Sequence, residues 1–327
     1  MIQLGTPLAP KNEGAVIDGK YQLRVNEFVP CDWCSIFNTS EFFKLHRTEN
    51  AFYFQLCMGD PAVPVGVAHF CETEAGHFRS PRRGTFGGFE FSRPVRIEVL
   101  EAFVDHVENT VRGSGAVSIE VLEPPMAFDS TKAALLANVL HRRGYVCATP
   151  DLAFLLAVNG EDSIWQKLKP SRRQRINRCR REGMTVAELT PESYREAYEV
   201  IVKNREAKGF PITMSFDSIL QMVEVFPGKL TFFGAFQEAK MIAASICVSV
   251  NSSILYVFYW GDLPGYERFS PVSLLAESIY GHARQRGFRF IDFGTSTKDG
   301  VPIYGLMNFK REIGCFPSLK PAYIKKC

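Results

Sequence analysis

Two hydrophobic periodicities alternate along the chain and predict a protein built from both strands and helices. Alternating or short unbroken apolar stretches predict strands, and apolar residues spaced three or four apart predict helices. In the first half, strands are predicted at residues 21–28, 51–58, 63–72, 85–91, 116–122 and 152–158, and helices at 32–49 (with breaks), 94–112 and 130–143.

The second half shows the same kinds of element in nearly the same order. Its predicted elements are helical segments 165–182, 191–208, 216–226, 270–286 and 306–313, and strands 185–189, 229–236, 241–250, 254–259, 290–293 and 320–324. This repeat predicts an α+β chain with two domains of one topology, each a mixed, mostly antiparallel sheet flanked by helices. The expected divisions are a tail at 1–20, a first, supporting domain at 21–160 and a second domain at 161–327 that carries the active crevice.

One stretch, residues 290–314, combines an apolar strand with a polar, glycine-rich loop. The strand breaks at Gly294, the loop contains Asp299 and Pro302, and the following helix carries Lys310. Ligands commonly bind where a strand opens into such a loop at its carboxyl end. The pattern therefore predicts a binding crevice in the second half.

Composition and charge agree with a folded chain and indicate where a ligand binds. The 327 residues are 46% hydrophobic and 22% charged, as in soluble globular proteins. Residues 1–160 hold 14 basic and 18 acidic side chains, and residues 161–327 hold 24 and 17. The halves therefore carry −4 and +7, so the second half is the better candidate for an anionic ligand.

The sequence also predicts a cellular location. No apolar run approaches the roughly 18–20 residues that a transmembrane helix needs, and residues 1–20 lack the apolar core of a signal peptide. The nine cysteines are scattered and odd in number, which favours reduced thiols in a cytoplasmic protein. The oligomeric state is not readable from the sequence.

The order of elements resembles the GNAT acyltransferase fold, and two copies resemble the Fem-type aminoacyltransferases of peptidoglycan bridge formation and related tandem-GNAT proteins. The motif Phe-Ile-Asp-Phe-Gly at 290–294, followed by Gly-Leu-Met-Asn-Phe-Lys-Arg-Glu-Ile-Gly at 305–314, is similar to a signature of that family. The segments 173–183, 204–209 and 80–88 are similar to its basic helix, its helix-ending motif and a stretch of the tandem proteins. The resemblance implies two tandem GNAT-like domains and acyl transfer.

Two family features are missing. The chain has no long charged helical hairpin of the kind that bridge-forming enzymes often insert. The Gln/Arg-x-x-Gly-x-Gly/Ala loop of ordinary acetyl-CoA-binding GNAT proteins is replaced by Gly-Tyr-Glu-Arg-Phe-Ser-Pro at 265–271. The acyl donor therefore stays open between acyl-CoA and aminoacyl-tRNA, with acyl-CoA slightly favoured because the helical arm is absent.

The helix that begins near Ser270 is the candidate phosphate site. Ser270 is expected at the N-cap and Pro271 at the first helical position, so that free N–H groups and the helix dipole attract an anion. Residues expected to bind the cofactor are Arg268, Phe269, Ser270 and Ser273. The alternative is a well-capped helix without a ligand.

The candidate catalytic residues are Lys310, Asp292 and Tyr259. The resemblance places Lys310 in the acyl-transfer site, where a fixed cation stabilises an oxyanion; otherwise it is a surface lysine. Asp292 on an apolar strand needs a partner, so it is either a base or, more readily, a partner of arginine or backbone amides. Tyr259 is either a general acid or a packing residue. Residues expected to bind the substrate are Arg205, Trp260, Tyr304 and Phe309.

The run at 167–181 has eight basic residues and no acidic one. It either binds tRNA, a nucleotide-linked precursor or an acidic polymer, or is a solvated, salt-bridged helix. It has no interleaved aromatic residues, which argues against base stacking.

The pair Cys31 and Cys34 has redox-motif spacing, although packing is the simpler interpretation. The cysteine and histidine spacings complete no zinc site, and the motifs of serine hydrolases and P-loop proteins are absent. The sequence thus predicts transfer of an acetyl or aminoacyl group to an amine. The rivals are a non-catalytic binding protein in a cell-envelope or polysaccharide pathway and a nucleic-acid-binding module.

Overall fold

A computed structural model describes residues 16–158, 160 and 163–327 of the chain. Most of the predicted tail, residues 1–15, lies outside this part. The described chain divides into two compact units. The first contains the described residues up to Leu152, with Asp299–Val301 and Ser318–Cys327; the second contains Ala153–Lys298 and Pro302–Pro317. The final strand, which the sequence pattern placed in the second domain, thus lies mainly in the first unit.

The first unit is a mixed sheet with helices. Its elements are β1 (Val16–Ile17), β2 (Tyr21–Val25), α1 (Ser40–His46), β3 (Ala51–Met58), β4 (Val63–Glu74), β5 (His77–Ser80), β6 (Glu90–Phe91), α2 (Ile97–Gly113), β7 (Ser118–Leu122), α3 (Ser130–Arg142) and the first part of β8 (Val146–Ala157). Neighbouring strands follow the order β1-β2-β3-β4-β5-β7, with β5 and β7 parallel and the other pairs antiparallel. Helix α2 buries Val99, Phe103 and Val107 against this sheet, each burial being worth about 1.5–3 kcal/mol.

The second unit repeats this plan. Its elements are the end of β8, α4 (Ile164–Lys167), α5 (Pro170–Arg181), β9 (Met184–Glu188), α6 (Tyr194–Ala207), α7 (Phe216–Val225), β10 (Leu230–Gln237), β11 (Lys240–Ser249), β12 (Ile254–Asp262), α8 (Pro271–Gln285), β13 (Phe290–Thr295), β14 (Thr297–Lys298), β15 (Val301–Pro302), α9 (Tyr304–Glu312) and β16 (Phe316–Lys326). Strand β16 returns to the first unit, where it pairs with β7. The strand order is β8-β13-β12-β11-β10-β9, and only β12 and β13 run parallel.

One predicted strand is wrong. Residues 85–91 were expected to form a strand, but only Glu90 and Phe91 do, and β5 lies earlier at His77–Ser80. The glycines at 84, 87 and 88 allow the intervening chain to fold as a loop, in which Gly87 N donates to Leu122 O and Gly88 N to Ser80 Oγ. In the described residues, no helix is both long and apolar enough to cross a bilayer.

Candidate active site

The candidate site lies where the parallel strands β12 and β13 of the second unit separate. Their ladder runs from Ile254 and Phe290 to Tyr256 and Asp292, whereas β12 continues to Asp262 with β11 as its partner. The register of β12 also shifts opposite Ile246 and Cys247, and such a bulge bends a strand and re-aims its side chains. Beyond Tyr256 and Asp292, β12 and β13 are not paired with each other, which leaves room for a ligand between their carboxyl ends.

Aromatic side chains occupy the space between these strand ends. The Trp260 ring lies 5.0 Å from Phe293 and 5.4 Å from Phe309, measured between centroids. The Arg172 guanidinium lies 4.5 Å above the Phe309 ring. Trp260 and Phe309, both predicted to bind substrate, thus come together, whereas Tyr304 is 72% exposed.

Lys310 is buried beneath the turn that ends β13, which excludes the surface-lysine alternative. It is 1% exposed, and its Nζ donates to Gly294 O and Thr295 O, both at 2.9 Å. Burial lowers the pKa of its ammonium to about 8. A buried cation that holds two carbonyls places positive charge directly at the carboxyl end of β13.

Asp292 holds the same turn from the other side. Its Oδ1 accepts a hydrogen bond from Gly294 N at 2.7 Å, and Gly294 adopts a φ of +74° that favours glycine. The Asp292 side chain is 2% exposed, and its charge raises the pKa of Lys310 against the larger effect of burial. This placement favours a role for Asp292 as the partner of a backbone amide over a role as a catalytic base.

Tyr259 lies apart from this cluster. Successive side chains of a strand point to opposite faces, so Tyr259 faces away from Trp260. Its hydroxyl accepts from Thr213 N at 3.1 Å and lies 2.5 Å from Thr213 Oγ1. Arg205 stacks over Tyr259 at 5.1 Å and donates to Pro211 O. Tyr259 and Arg205 therefore anchor the loop at 209–215.

The end of β12 is fixed by a contact that the sequence reasoning did not identify. Asn204 Nδ2 donates to Asp262 O at 2.6 Å and to Asp262 Oδ1 at 2.9 Å. A Cβ on Gly261 would lie 2.5 Å from Asn204 Cγ, so only glycine permits this approach. In the sequence, the pair Asn204-Arg205 of the helix-ending motif marked this position, but it did not indicate that Asn204 binds Asp262.

The loop before α8 differs from the predicted phosphate site. Ser270 occupies the N-cap as expected, but with a φ of +57° and without a capping bond from its side chain. The Ser270 hydroxyl pairs with Ser273 Oγ at 3.1 Å and lies 3.1 Å from Arg172 Nη1, which donates to it. Three amides around the start of α8 are engaged within the loop: those of Phe269 and Ser270 donate to Tyr266 O, and that of Ser273 donates to Ser270 O.

Helix α5 clamps this loop through its basic run. Arg175 Nη1 approaches the carbonyls of Glu267 and Arg268 at 3.5 and 3.4 Å, and Cys179 Sγ donates to Phe269 O at 3.3 Å. Arg268 itself stacks on the Phe269 ring at 4.5 Å. Much of the run 167–181 is thus engaged with the second unit itself, since Arg180 also pairs with Glu277 at 2.8 Å.

Comparisons with known proteins agree with this geometry. Residues 170–311 match the family described as "Acetyltransferase (GNAT) domain". No curated protein sequence matches the chain. Among solved structures, FemX superposes with a TM-score of 0.67 at 14% identity, over 89% of this chain and 92% of FemX.

Two further structures share the fold. One is the C-terminal domain of a protein described as a lysylphosphatidylglycerol synthetase from Agrobacterium fabrum, with a TM-score of 0.56 and 13% identity over 80% of this chain and 82% of that one. The other is L-PGS from Bacillus licheniformis, with a TM-score of 0.55 and 12% identity over the same shares. The chain therefore has a Fem-like GNAT fold, which supports acyl transfer in general.

Proposed function

We propose that the second unit transfers an aminoacyl group from an ester donor, such as aminoacyl-tRNA, to an amine. The choice of an ester donor rests on the hydrogen bonds of the loop before α8. The amides of Phe269, Ser270 and Ser273 already have acceptors, and Pro271 has no N–H, so four neighbouring positions do not offer the free N–H groups that bind a pyrophosphate. The likeness to FemX covers most of the chain and points the same way.

The proposed reaction is direct attack, without a covalent enzyme intermediate. The amine nitrogen attacks the ester carbonyl, a C–N bond forms, and the carbonyl oxygen becomes an oxyanion. The C–O bond then breaks, and the ribose hydroxyl leaves with the proton that the amine gives up. Lys310 supplies positive charge at the turn of Gly294 and Thr295, and two of its three N–H groups are used there. The positive charge of Lys310 stabilises the oxyanion through its electrostatic field, without direct contact.

Acyl-CoA is the second candidate donor, and one observation favours it. Arg172 places a guanidinium against Ser270 at the start of α8, where it adds to the positive end of the helix dipole. Arg172 is paired with Glu312 at 2.7 Å, so it can hold a phosphate where the phosphate replaces that carboxylate as its partner.

The first unit is proposed to support the second. At the carboxyl ends of β5 and β7, Lys132 Nζ donates to Glu123 Oε2 and to Phe89 O, both at 3.0 Å. Glu123 Oε1 accepts from Phe89 N at 3.2 Å, and Glu123 is 4% exposed. A buried ion pair thus occupies the place that corresponds to the candidate site of the second unit.

Calorimetric titration of the full chain with charged tRNA, uncharged tRNA, coenzyme A and acetyl-CoA tests the choice of donor. We expect charged tRNA to bind more tightly than uncharged tRNA, and coenzyme A and acetyl-CoA not to saturate at millimolar concentration. Saturable binding of acetyl-CoA that weakens in Arg172→Ala would establish the second candidate instead. Absence of binding to all four would contradict the transferase proposal.

A further inference from the structure

The cysteines Cys31 and Cys34 form a pair that the proposed transfer reaction does not use. Both lie in the irregular segment between β2 and α1 of the first unit. Cys34 Sγ donates to Cys31 O at 3.9 Å, which brings the Cys34 side chain against the Cys31 backbone. Cys31 is half-buried, whereas Cys34 is 5% exposed. Cys31 is thus reachable from solvent, and Cys34 is buried three positions later in the same turn.

Neighbouring contacts hold this turn in place. Trp33, between the two cysteines, donates from Nε1 to Pro64 O at 3.0 Å. Ser35, directly after Cys34, donates its N–H to both carboxylate oxygens of Glu90 at 2.9 Å. The turn that carries both cysteines is therefore fixed by hydrogen bonds to β4 and β6.

None of the other seven cysteines has a second cysteine three positions away. Burial raises the pKa of the Cys57, Cys71 and Cys179 thiols to about 11 and that of Cys247 to about 12. The pKa of Cys31 is lowered, mainly by the hydrogen bond from Cys34, while that of Cys34 is raised. An accessible thiol with the thiolate stabilised beside a protonated partner is the arrangement that favours thiol exchange.

We propose that Cys31 and Cys34 form a thiol–disulfide exchange site, which a low-molecular-weight disulfide oxidises to an intramolecular disulfide. The Cys31 thiolate attacks one sulfur of the disulfide, a mixed disulfide forms, and one thiolate leaves. Cys34 loses its proton to solvent and attacks Cys31 Sγ, which releases the second thiolate. The protein loses two electrons and two protons, and the small disulfide becomes two thiols.

Incubation of the full chain with oxidised glutathione, alkylation and peptide mapping test the proposal. Cleavage after Arg24 and Lys44 gives one peptide, residues 25–44, that contains both cysteines and no other. We expect this peptide to become two hydrogens lighter and resistant to alkylation, and excess reduced glutathione to reverse both changes. Oxidation that appears first on other cysteines, or that leaves this peptide fully alkylated, would overturn the proposal.

Three variants test whether Cys31 attacks the small disulfide and Cys34 resolves the mixed disulfide. Cys34→Ser should trap glutathione on Cys31, because the resolving thiol is gone, and Cys34→Ala should do the same without a buried hydroxyl. Cys31→Ser should leave Cys34 unmodified. The matched control is Cys147→Ser, which removes an exposed cysteine and should leave the disulfide unchanged. A stable adduct on Cys34 in Cys31→Ser, or none on Cys31 in both Cys34 variants, would refute the assignment.

Discussion

At the scale of single residues, the site depends on a buried cation. Lys310 combines 1% exposure with two bonds to backbone carbonyls, and desolvation is the main cause of its lowered pKa. The Phe-Lys motif singled out Lys310 in the sequence. The burial of Lys310 could not be predicted from the sequence, because it arises when the turn at Gly294 folds over a residue sixteen positions later.

The pH dependence of stability tests this environment. The pKa of Lys310 falls from 10.5 to about 8 on folding, so between these values the unfolded chain binds more protons than the folded one. The free energy of unfolding should therefore gain a contribution that rises as the pH increases from about 8 to 10.5. Denaturant titrations at several pH values should show this rise in the wild type and in Arg311→Met, and its loss in Lys310→Met. Equal pH dependence in all three would contradict the burial of the charge.

A second residue-scale prediction concerns Gly261. The substitution Gly261→Ala should destabilise the protein by about 1–3 kcal/mol, because the new Cβ would lie 2.5 Å from Asn204 Cγ. The matched control is Gly281→Ala in α8, which meets nothing within 4 Å and should stabilise by about 0.5–1 kcal/mol. Urea unfolding measures both, and equal effects would show that the end of β12 is not tightly held.

At the scale of elements, the sequence predicted most helices and strands because both halves have clear hydrophobic periodicity. Strand β3 was predicted with its observed ends, and α8 to within one residue at each end. The loop at 81–89 was missed because its apolar Phe86 and Phe89 resemble a strand, whereas glycine backbone geometry decides its fold. The separation of β12 from β13 also depends on strand pairing, which a single sequence does not reveal.

The loop at 209–215 gives an element-scale prediction. Tyr259→Phe keeps the ring beneath Arg205 but removes the hydroxyl that Thr213 uses. If Tyr259 only positions this loop, the variant should lower the free energy of unfolding by about 0.5–1.5 kcal/mol, the value of one hydrogen bond, and leave kcat nearly unchanged. Urea unfolding and steady-state kinetics measure the two effects. A fall in kcat of about 100-fold or more would instead assign Tyr259 the general-acid role.

At the scale of the whole molecule, two units of similar topology differ in what lies at the corresponding strand ends. The second unit has a buried lysine and an aromatic cluster, and the first has the Glu123–Lys132 pair. The sequence pattern suggested the duplication and the excess of positive charge in the second half. It did not show that many of those arginines bind the second unit's own carboxylates and carbonyls.

The ion pair in the first unit should be a determinant of stability. Lys132→Met would leave Glu123 buried without its cation, at a cost of about 3–5 kcal/mol near neutral pH. Burial raises the pKa of Glu123, so protonation relieves this cost and the deficit should shrink as the pH falls toward the carboxyl range. Thermal unfolding of the wild type and Lys132→Met at several pH values measures this loss of stability. Lys44→Met, which removes an exposed lysine, is the control and should show little change.

The most direct test of the central claim is a single-turnover measurement with aminoacyl-tRNA and hydroxylamine, a small amine that converts an acyl ester to a hydroxamate. We predict protein-dependent hydroxamate formation that falls about 100- to 1,000-fold in Lys310→Met, the usual effect of removing one oxyanion donor, and that persists in Arg311→Met. A rate that equals the uncatalysed reaction, or that is unchanged in Lys310→Met, would contradict aminoacyl transfer at this site.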